Sequence, residues 1–528
     1  MTDTARELMG QANTLFEKRF GLLSLWQTMA ENFYPERADF TRHRNLGEEF
    51  ASNLLSSYPL MARRDLQGVI ASMLRRDKWF SLGTGRETEK ASAKKWLEHS
   101  DSIMRKLMAE RTSGFDKATS SADGDFVTFG NAVLSVELNS ARNGILYRCW
   151  HPRDVAWSED EAGMVDCVYR KWKPQARELV KLFPDTVSHE TRTTASNAPF
   201  TEVQAMHIVC PAEMLGGEYK EKLNDAPFAS VYIDMAGQAI LEMTGIHNKM
   251  YVIPRWQQVS GSQYAYSPSS VAALPDARLI QAMTNTLLEA GEKFTNPPMI
   301  ATQDAIRSDI QVFAGGITWV DDSYDERLGD VLRPLNQDRG GMPMGFDMAA
   351  DVRSQIDTAF YLDKLRLPDT RAMTAYEVSE RMQEFVRSTL PLFGPMEKEY
   401  NGQLCDITFD IAMRSGFLGS EQDIPDELRG EEVEFTFQSP IAEAVEKTKG
   451  QLFMQTAEML QVAAQADPGA VHDVDVSTAF RDALQGIGVP ATWIADEDVA
   501  AQSKQAAQIA QAAQMAAESG LLNAETGQ

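Results

Sequence analysis

Seven histidines and four cysteines make up the chain's supply of nitrogen and sulfur ligands, and their spacing argues against a metal centre. His43, His99, His151, His189, His207, His247 and His472 never fall three to five residues apart, the interval at which two imidazoles meet one local zinc ion. Cys149, Cys167, Cys210 and Cys405 form no CxxC pair, which predicts free thiols, a reducing compartment and no disulfide. Phosphate chemistry lacks its usual cradle, since neither a P-loop nor a GxGxxG turn occurs. HExxH, GxSxG and the calcium-loop pattern are also missing.

Oxygen ligands are more plentiful. The clusters Glu159-Asp160-Glu161 and Asp321-Asp322 with Asp325-Glu326 offer the hard donors a divalent cation wants. Asp321, Asp322 and Asp325 would serve a metal-dependent nuclease, although solvated turns are the plainer reading of both clusters. The basic pairs Arg63-Arg64 and Arg75-Arg76 sit on a predicted helix where they could touch DNA, although pairing with acidic neighbours on the same or the next subunit is the plainer reading. These residues together predict no enzyme, no cofactor and no metal.

The elements that would position such residues follow from composition and periodicity. With 528 residues, 43% of them hydrophobic, the chain exceeds the ~250–300 residues at which a single core stops growing. Its 51 Lys plus Arg against 76 Asp plus Glu give a net charge of −25, which argues against static retention of nucleic acid, because such binding places cations on phosphates. A conduit that lets nucleic acid slide past benefits from weak contacts, so the charge permits one. No run approaches the ~20 apolar residues of a membrane span, and MTDTARELMG lacks the basic-then-apolar order of a signal sequence. The expectation is a soluble, cytoplasmically made protein without membrane contact.

Residues 1–120 read as mostly helical. Asn53 to Leu74 carries an apolar stripe at spacings of three and four, with a kink or break expected at Pro59. FGNAVLSVEL, GILYRCW and MVDCVYRKW read as strands, PQARELVKLF as a short helix, and SHETRTTASNAPF as a polar stretch without periodicity. EVQAMHIVC, FASVYID and AILEMTG add strands, which makes residues 185–266 a strand-rich insertion. Leu274 to Phe294 forms a helix that Asn296-Pro297-Pro298 stops. Glycine and proline pairs over 315–345 predict a mobile loop, and an apolar stripe from Ala349 to Phe360 predicts the next helix. Thr374 to Glu377 reads as a capping box, Met396 to Arg414 as a helix, and Ala501 to Ala516 as an Ala/Gln helix whose tails either pack in a ring or fray singly. The fold class expected is α+β, mainly helical.

The order of ENFYPERADF (31–40), LMARRDLQGVIASMLRRDKWFSL (60–82), FGNAVLSVE (129–137), WHPRDVAWSEDEAG (150–163) and YVIPRWQQVSGSQYAYSP (251–268) resembles the head-to-tail connecting proteins, or portals, of short-tailed bacteriophages. LPDARLIQAMTNTLLEAGEKFTNPP and TAYEVSERMQEF extend the likeness, which runs from about residue 5 to residue 500. The resemblance implies the portal fold, with a wing at 1–171 and 297–438, stem helices at 172–184 and 268–296, a clip at 185–267 and a crown at 439–528. It also implies a twelvefold ring at one capsid vertex through which double-stranded DNA is packaged and ejected. The partners implied are terminase, the major capsid and scaffolding proteins, and a tail adaptor, and the location is the virion. A tunnel loop at about 335–345 would then face the channel, with Arg333 and Arg339 as transient phosphate contacts. The competing structural reading is a capsid-associated adaptor or scaffold that does not enclose DNA.

Overall fold

The computed structural model describes nearly all of residues 2–301, then 332–334, 341–365, 396–437, 453–462 and 474–489, with a few positions left out inside these ranges, and single positions at 503, 506, 509 and 510. The largest core gathers α2 (Phe20–Phe33), α3 (Tyr58–Leu74), α4 (Ala91–Ala109), α5 (Phe115–Phe129) and, nearer the carboxyl end, Gln403–Arg414, with buried residues of the helices Leu274–Thr295 and Gly341–Ala359 packed onto them. Trp26, Phe33, Leu66, Met104, Phe126, Leu404 and Ala412 all meet in it. Pro59 does not break α3. It lies at the second helical residue, where its missing N–H has no intrahelical partner to lose, so it starts the helix that the apolar stripe alone would begin earlier.

Helix α5 runs through the middle of this core, and every residue from Ala122 to Phe129 is buried. Left-handed glycines close both ends, Gly114 at φ 67° and Gly130 at φ 76°. At Gly130 a Cβ would stand 2.7 Å from the backbone carbon of Tyr266, so the position needs glycine for space as well as for conformation.

Two sheets flank the helical core. The smaller orders β3 (Ile145–Cys149), β2 (Leu134–Leu138) and β9 (Tyr251–Val252), all antiparallel. The larger is a five-stranded meander of β4 (Val155–Glu159), β5 (Val165–Trp172), β6 (Ala205–Pro211), β7 (Phe228–Asp234) and β8 (Ala239–Ile246). Strand alternation splits its side chains between two cores. Cys167, Tyr169, Met206, Ile208 and Cys210 face α1 (Thr2–Lys18) through Ala5, Leu8 and Ala12, while Trp157, Val168 and Val209 face Val133, Tyr251 and Ile253.

Four elements depart from the sequence reading. Val155–Glu159, which the sequence reading does not mark as a strand, is strand β4. The strands of the expected insertion are not a separate unit, since β6 pairs with β5 from Val168↔Val209 to Trp172↔Ala205. SHETRTTASNAPF holds helix α7 (His189–Asn197) rather than loop, because Ser188 caps it by accepting from the Thr191 amide at 3.3 Å and Thr191 donates to the buried Asp234 at 2.8 Å. Polar residues built this helix, so no apolar period marked it. Finally, α9 (Gly341–Ala359) begins inside the span that reads as a loop, with Pro343 in its first turn.

The helix expected before it, α8, runs Leu274–Thr295 after one π-type turn and packs against α9. Ala349, Val352, Ile356 and Phe360 bury the expected stripe. The Thr374 capping box and most of the Ala/Gln segment lie outside the described residues.

Candidate functional site

Arg333 lies in β11 (Leu332–Pro334), which pairs antiparallel with β10 (Met299–Ala301) so that Arg333 stands opposite Ile300. Strand β10 follows the end of α8 and β11 precedes α9, so the two strands sit where the α8–α9 helix pair joins them. Arg339 and the carboxylates Asp321, Asp322 and Asp325 lie outside the described residues. Beyond Ile280 no residue of α8 is buried, and Leu279 and Leu288 on α8 are exposed along with Met344, Phe346 and Met348 on α9. Gly345 lets the helices close, since a Cβ there would be 2.8 Å from Leu287.

Of the basic pairs, Arg63, Arg64 and Arg75 are bound within the fold, and Arg76 lies outside the described residues. Arg63 is buried over the Tyr34 ring at 4.1 Å and donates to the Phe33 carbonyl at 3.2 Å. Arg64 pairs with Glu36 at 2.8 Å on the surface. Arg75 donates to both oxygens of Asp123, at 3.0 and 2.8 Å, and lies 4.4 Å over the ring of Tyr400, whose hydroxyl also donates to Asp123 at 3.0 Å. Burial works against the Arg75 charge, yet Asp123 outweighs it and raises the pKa above the ordinary guanidinium value. A cleft of about 430 Å³ between α3, α4 and α5 is lined by Arg75, Lys78, Trp79, Arg105 and Phe115, among others. Arg105 there is held by Asp101 at 3.2 Å.

The motif strings converge on one another. Arg37 makes a two-pronged bond to the fully buried Asp125 at 3.0 and 2.8 Å. Asp39 receives His151 Nε2 at 2.7 Å and Arg153 at 2.6 Å. The Arg153 amide donates to His151 Nδ1 at 3.0 Å, so Nε2 carries the imidazole proton given to Asp39. Burial alone would raise the Asp39 pKa, but the His151 hydrogen bond and the Arg153 guanidinium hold it at about 2. Arg19 caps the same corner by donating to the carbonyls of Pro152, Val155 and Arg153. Asn131 exchanges two hydrogen bonds with Ala265 at 3.0 Å each, and Arg255 joins Glu159 to Glu399.

These contacts also dispose of the first acidic cluster. Glu159 is held by Arg255, and Asp160 closes a turn by accepting from the amides of Ala162 and Met164 at 2.9 and 2.8 Å. No group of three His, Cys, Asp or Glu side chains among the described residues could hold a metal, and no described helix is long and apolar enough to cross a membrane.

One buried network escaped the sequence reading. His207 lies between the Tyr251 hydroxyl, 2.6 Å from Nδ1, and Ser230 Oγ, 2.9 Å from Nε2, with its ring stacked on Tyr232 at 4.1 Å. Arg170 donates to Tyr251 at 2.8 Å, leaving the tyrosine proton for Nδ1 and the Nε2 proton for Ser230. Burial, and then the Arg170 charge, push the His207 pKa well below its usual value. Sequence alternation marked β6 as a strand but carried no signal for the cross-strand partners of a lone histidine.

Residues 5–494 match the family model described as bacteriophage head to tail connecting protein. The chain is 25% identical over 455 residues to a probable portal protein of Bordetella phage BPP-1, covering 83% of this chain and 79% of the relative. It is 25% identical over 517 residues to a portal protein of Salmonella phage epsilon15, covering 94% and 90%. A chain in the neck of an empty gene transfer agent particle aligns over 76% of this chain and 86% of its own, at 10% identity and a TM-score of 0.32.

Proposed function

Because the chain belongs to the family of bacteriophage head to tail connecting proteins, we propose that it closes into a twelvefold ring at one capsid vertex and forms the channel for packaging and ejecting double-stranded DNA. It is a connecting, structural component rather than an enzyme. The observation that carries this reading is the family match from residue 5 to residue 494, which leaves no room for an unrelated catalytic domain within that span. Interlocking of the five motif strings supports it: 31–40 is held by 60–82 through Arg63 and the Phe33 carbonyl and by 150–163 through His151 and Asp39, while 251–268 is held by 129–137 through Asn131 and by 150–163 through Glu159.

In this reading the wing comprises 1–171 and 297–438, the stem helices fall at 172–184 and 268–296, the clip spans 185–267, and the crown is 439–528. The clip and the first part of the wing then share one sheet through the β5–β6 pairing. Terminase and a tail adaptor attach to the ring, which sits among the major capsid and scaffolding proteins of the virion. Arg333 and Arg339, on the segment between α8 and α9, touch DNA phosphates briefly, within a bore whose surplus carboxylates repel the duplex on average and lower sliding friction.

Native mass measurement with projection images of the purified protein tests the ring. A closed oligomer with a central hole wide enough for a duplex is expected. A stable monomer at micromolar concentration, or an assembly with no axial opening, overturns it in favour of the adaptor reading.

A further inference from the structure

Cys167 and Cys210 are distant in sequence but belong to neighbouring strands. The β5–β6 ladder sets Val168 opposite Val209, and one step further along antiparallel strands places Cys167 opposite Cys210. Both face the core beneath α1, whereas Val168 and Val209 face the opposite core, so the two thiols share one side of the sheet. Residues directly opposite in an antiparallel pair have Cα atoms about 4.5–5.5 Å apart, inside the ~4.4–6.8 Å window of a disulfide. Both cysteines are free and fully buried in this structure.

Access to the pair has a visible route. Cys167 Sγ lies 3.1 Å from Met214 Sδ, and Met214 is 47% exposed, so a shift of one flexible side chain opens the pocket to solvent. Burial first, and for Cys210 the neighbouring Cys167, push each thiol up to about 12, which keeps both protonated and slow to react at neutral pH.

We propose that Cys167 and Cys210 are a latent redox pair that closes into an intramolecular disulfide when a two-electron thiol oxidant reaches it, stapling β5 to β6. With a diazene oxidant such as diamide, one sulfur adds to the N=N bond and the second displaces it. The two thiols lose two protons and two electrons, the S–S bond forms, and the reduced hydrazine leaves. In a reducing cytosol the pair stays open, and in an oxidising medium it closes. The loop so enclosed contains α6 (Ala176–Leu182) and α7, which pack against each other beside the sheet.

The test uses full-length protein in its assembled state, freed of reductant and left overnight with diamide at pH 8.5, then denatured and alkylated with iodoacetamide. Intact mass should show two carbamidomethyl groups instead of four, and a non-reducing digest should join the Cys167 and Cys210 peptides. Cys210→Ser should abolish that link, and dithiothreitol should restore four alkylated thiols along with a lower thermal midpoint. Four alkylated thiols after oxidation overturn the proposal, as does a link through Cys149, through Cys405 or between two copies.

Discussion

Replacing Asp123 by Asn should destabilise the protein more than any surface charge change, because it removes the carboxylate that neutralises Arg75. The two side chains are 6% and 1% exposed, so water cannot take over the lost role. Breaking a buried pair from one side costs about 3–5 kcal/mol, against roughly 0–1 kcal/mol for an exposed pair such as Arg64 with Glu36. Tyr400→Phe removes one hydrogen bond to the charged acceptor but leaves both charges together, for a cost of about 1.5–3 kcal/mol. Arg75→Met should match Asp123→Asn, while the double variant should recover much of the loss, since an apolar pair leaves no charge stranded.

Thermal unfolding at one fixed protein concentration measures this series, because assembly also contributes to the apparent midpoint. At about 2–4 °C per kcal/mol, each single charge variant should fall by roughly 6–20 °C. DNA retention across a salt series should keep its slope in Arg75→Met, in contrast to a residue that meets phosphate. Single variants within ~1 kcal/mol of wild type would show that the buried pair is not what holds α3 to α5. A changed salt slope would instead return Arg75 to the DNA-contacting class.

The same reasoning yields four further expectations. Gly130→Ala should cost about 2–4 kcal/mol, combining left-handed strain with the Tyr266 clash, while Gly68→Ala on open helix surface should stabilise by ~0.5–1 kcal/mol; paired thermal midpoints check the contrast. His207 is held neutral with a depressed pKa, so its contribution is present above the unfolded value of about 6.5 and lost as pH falls below it. Asp101, raised to about 6 mainly by burial, works in the opposite direction, so the diagnostic is the difference between wild type and His207→Gln from pH 7.5 to 5, which should shrink with acid. Asp39→Asn should loosen the His151–Arg153 corner, seen as faster amide exchange at Arg153 and Asp154 with exchange in β8 unchanged. Arg333→Ala and Arg339→Ala should leave the ring intact and each reduce the log-log salt slope of DNA retention by about 0.9, and no change in slope would remove them from the channel proposal.

Elements whose cause is local were legible in the sequence. The α8 stripe, the α9 stripe and the strands β2, β3, β5, β6, β7 and β8 all follow from apolar periods that one stretch of chain carries by itself. Helix α7 was not, because its stability comes from Ser188 and from Asp234 on a distant strand, and polar residues leave no period to count. The pairing of β5 with β6 was hidden for a related reason: two helices intervene, and nothing in either strand names its neighbour. The site residues divide in the same way. Arginines could be found in the sequence, but whether Arg75 meets a phosphate or Asp123 depends on contacts between segments far apart in the chain.

That distribution of arginine bears on the acidity of the whole molecule. Arg37, Arg75, Arg153 and Arg255 are neutralised by carboxylates within the chain, and Arg19 and Arg63 are turned toward carbonyl oxygens in the core. Each inward arginine of the second kind takes a positive charge away from the surface without taking a negative one with it. Among the described residues only Asp101, Asp123, Asp125 and Asp234 are buried carboxylates, so the surplus negative charge of that part lies mainly at solvent-facing positions. A surface of this kind suits a wall past which a polyanion slides, since the cations best able to grip phosphate are committed to holding the fold. Reversing a few exposed carboxylates to lysine along the proposed bore should then slow DNA exit at low salt, and raising the salt to about 0.1 M, where the Debye length is about 10 Å, should largely remove the difference. Exit rates indifferent to that reversal would break the connection between net charge and passage, even if the ring itself stands.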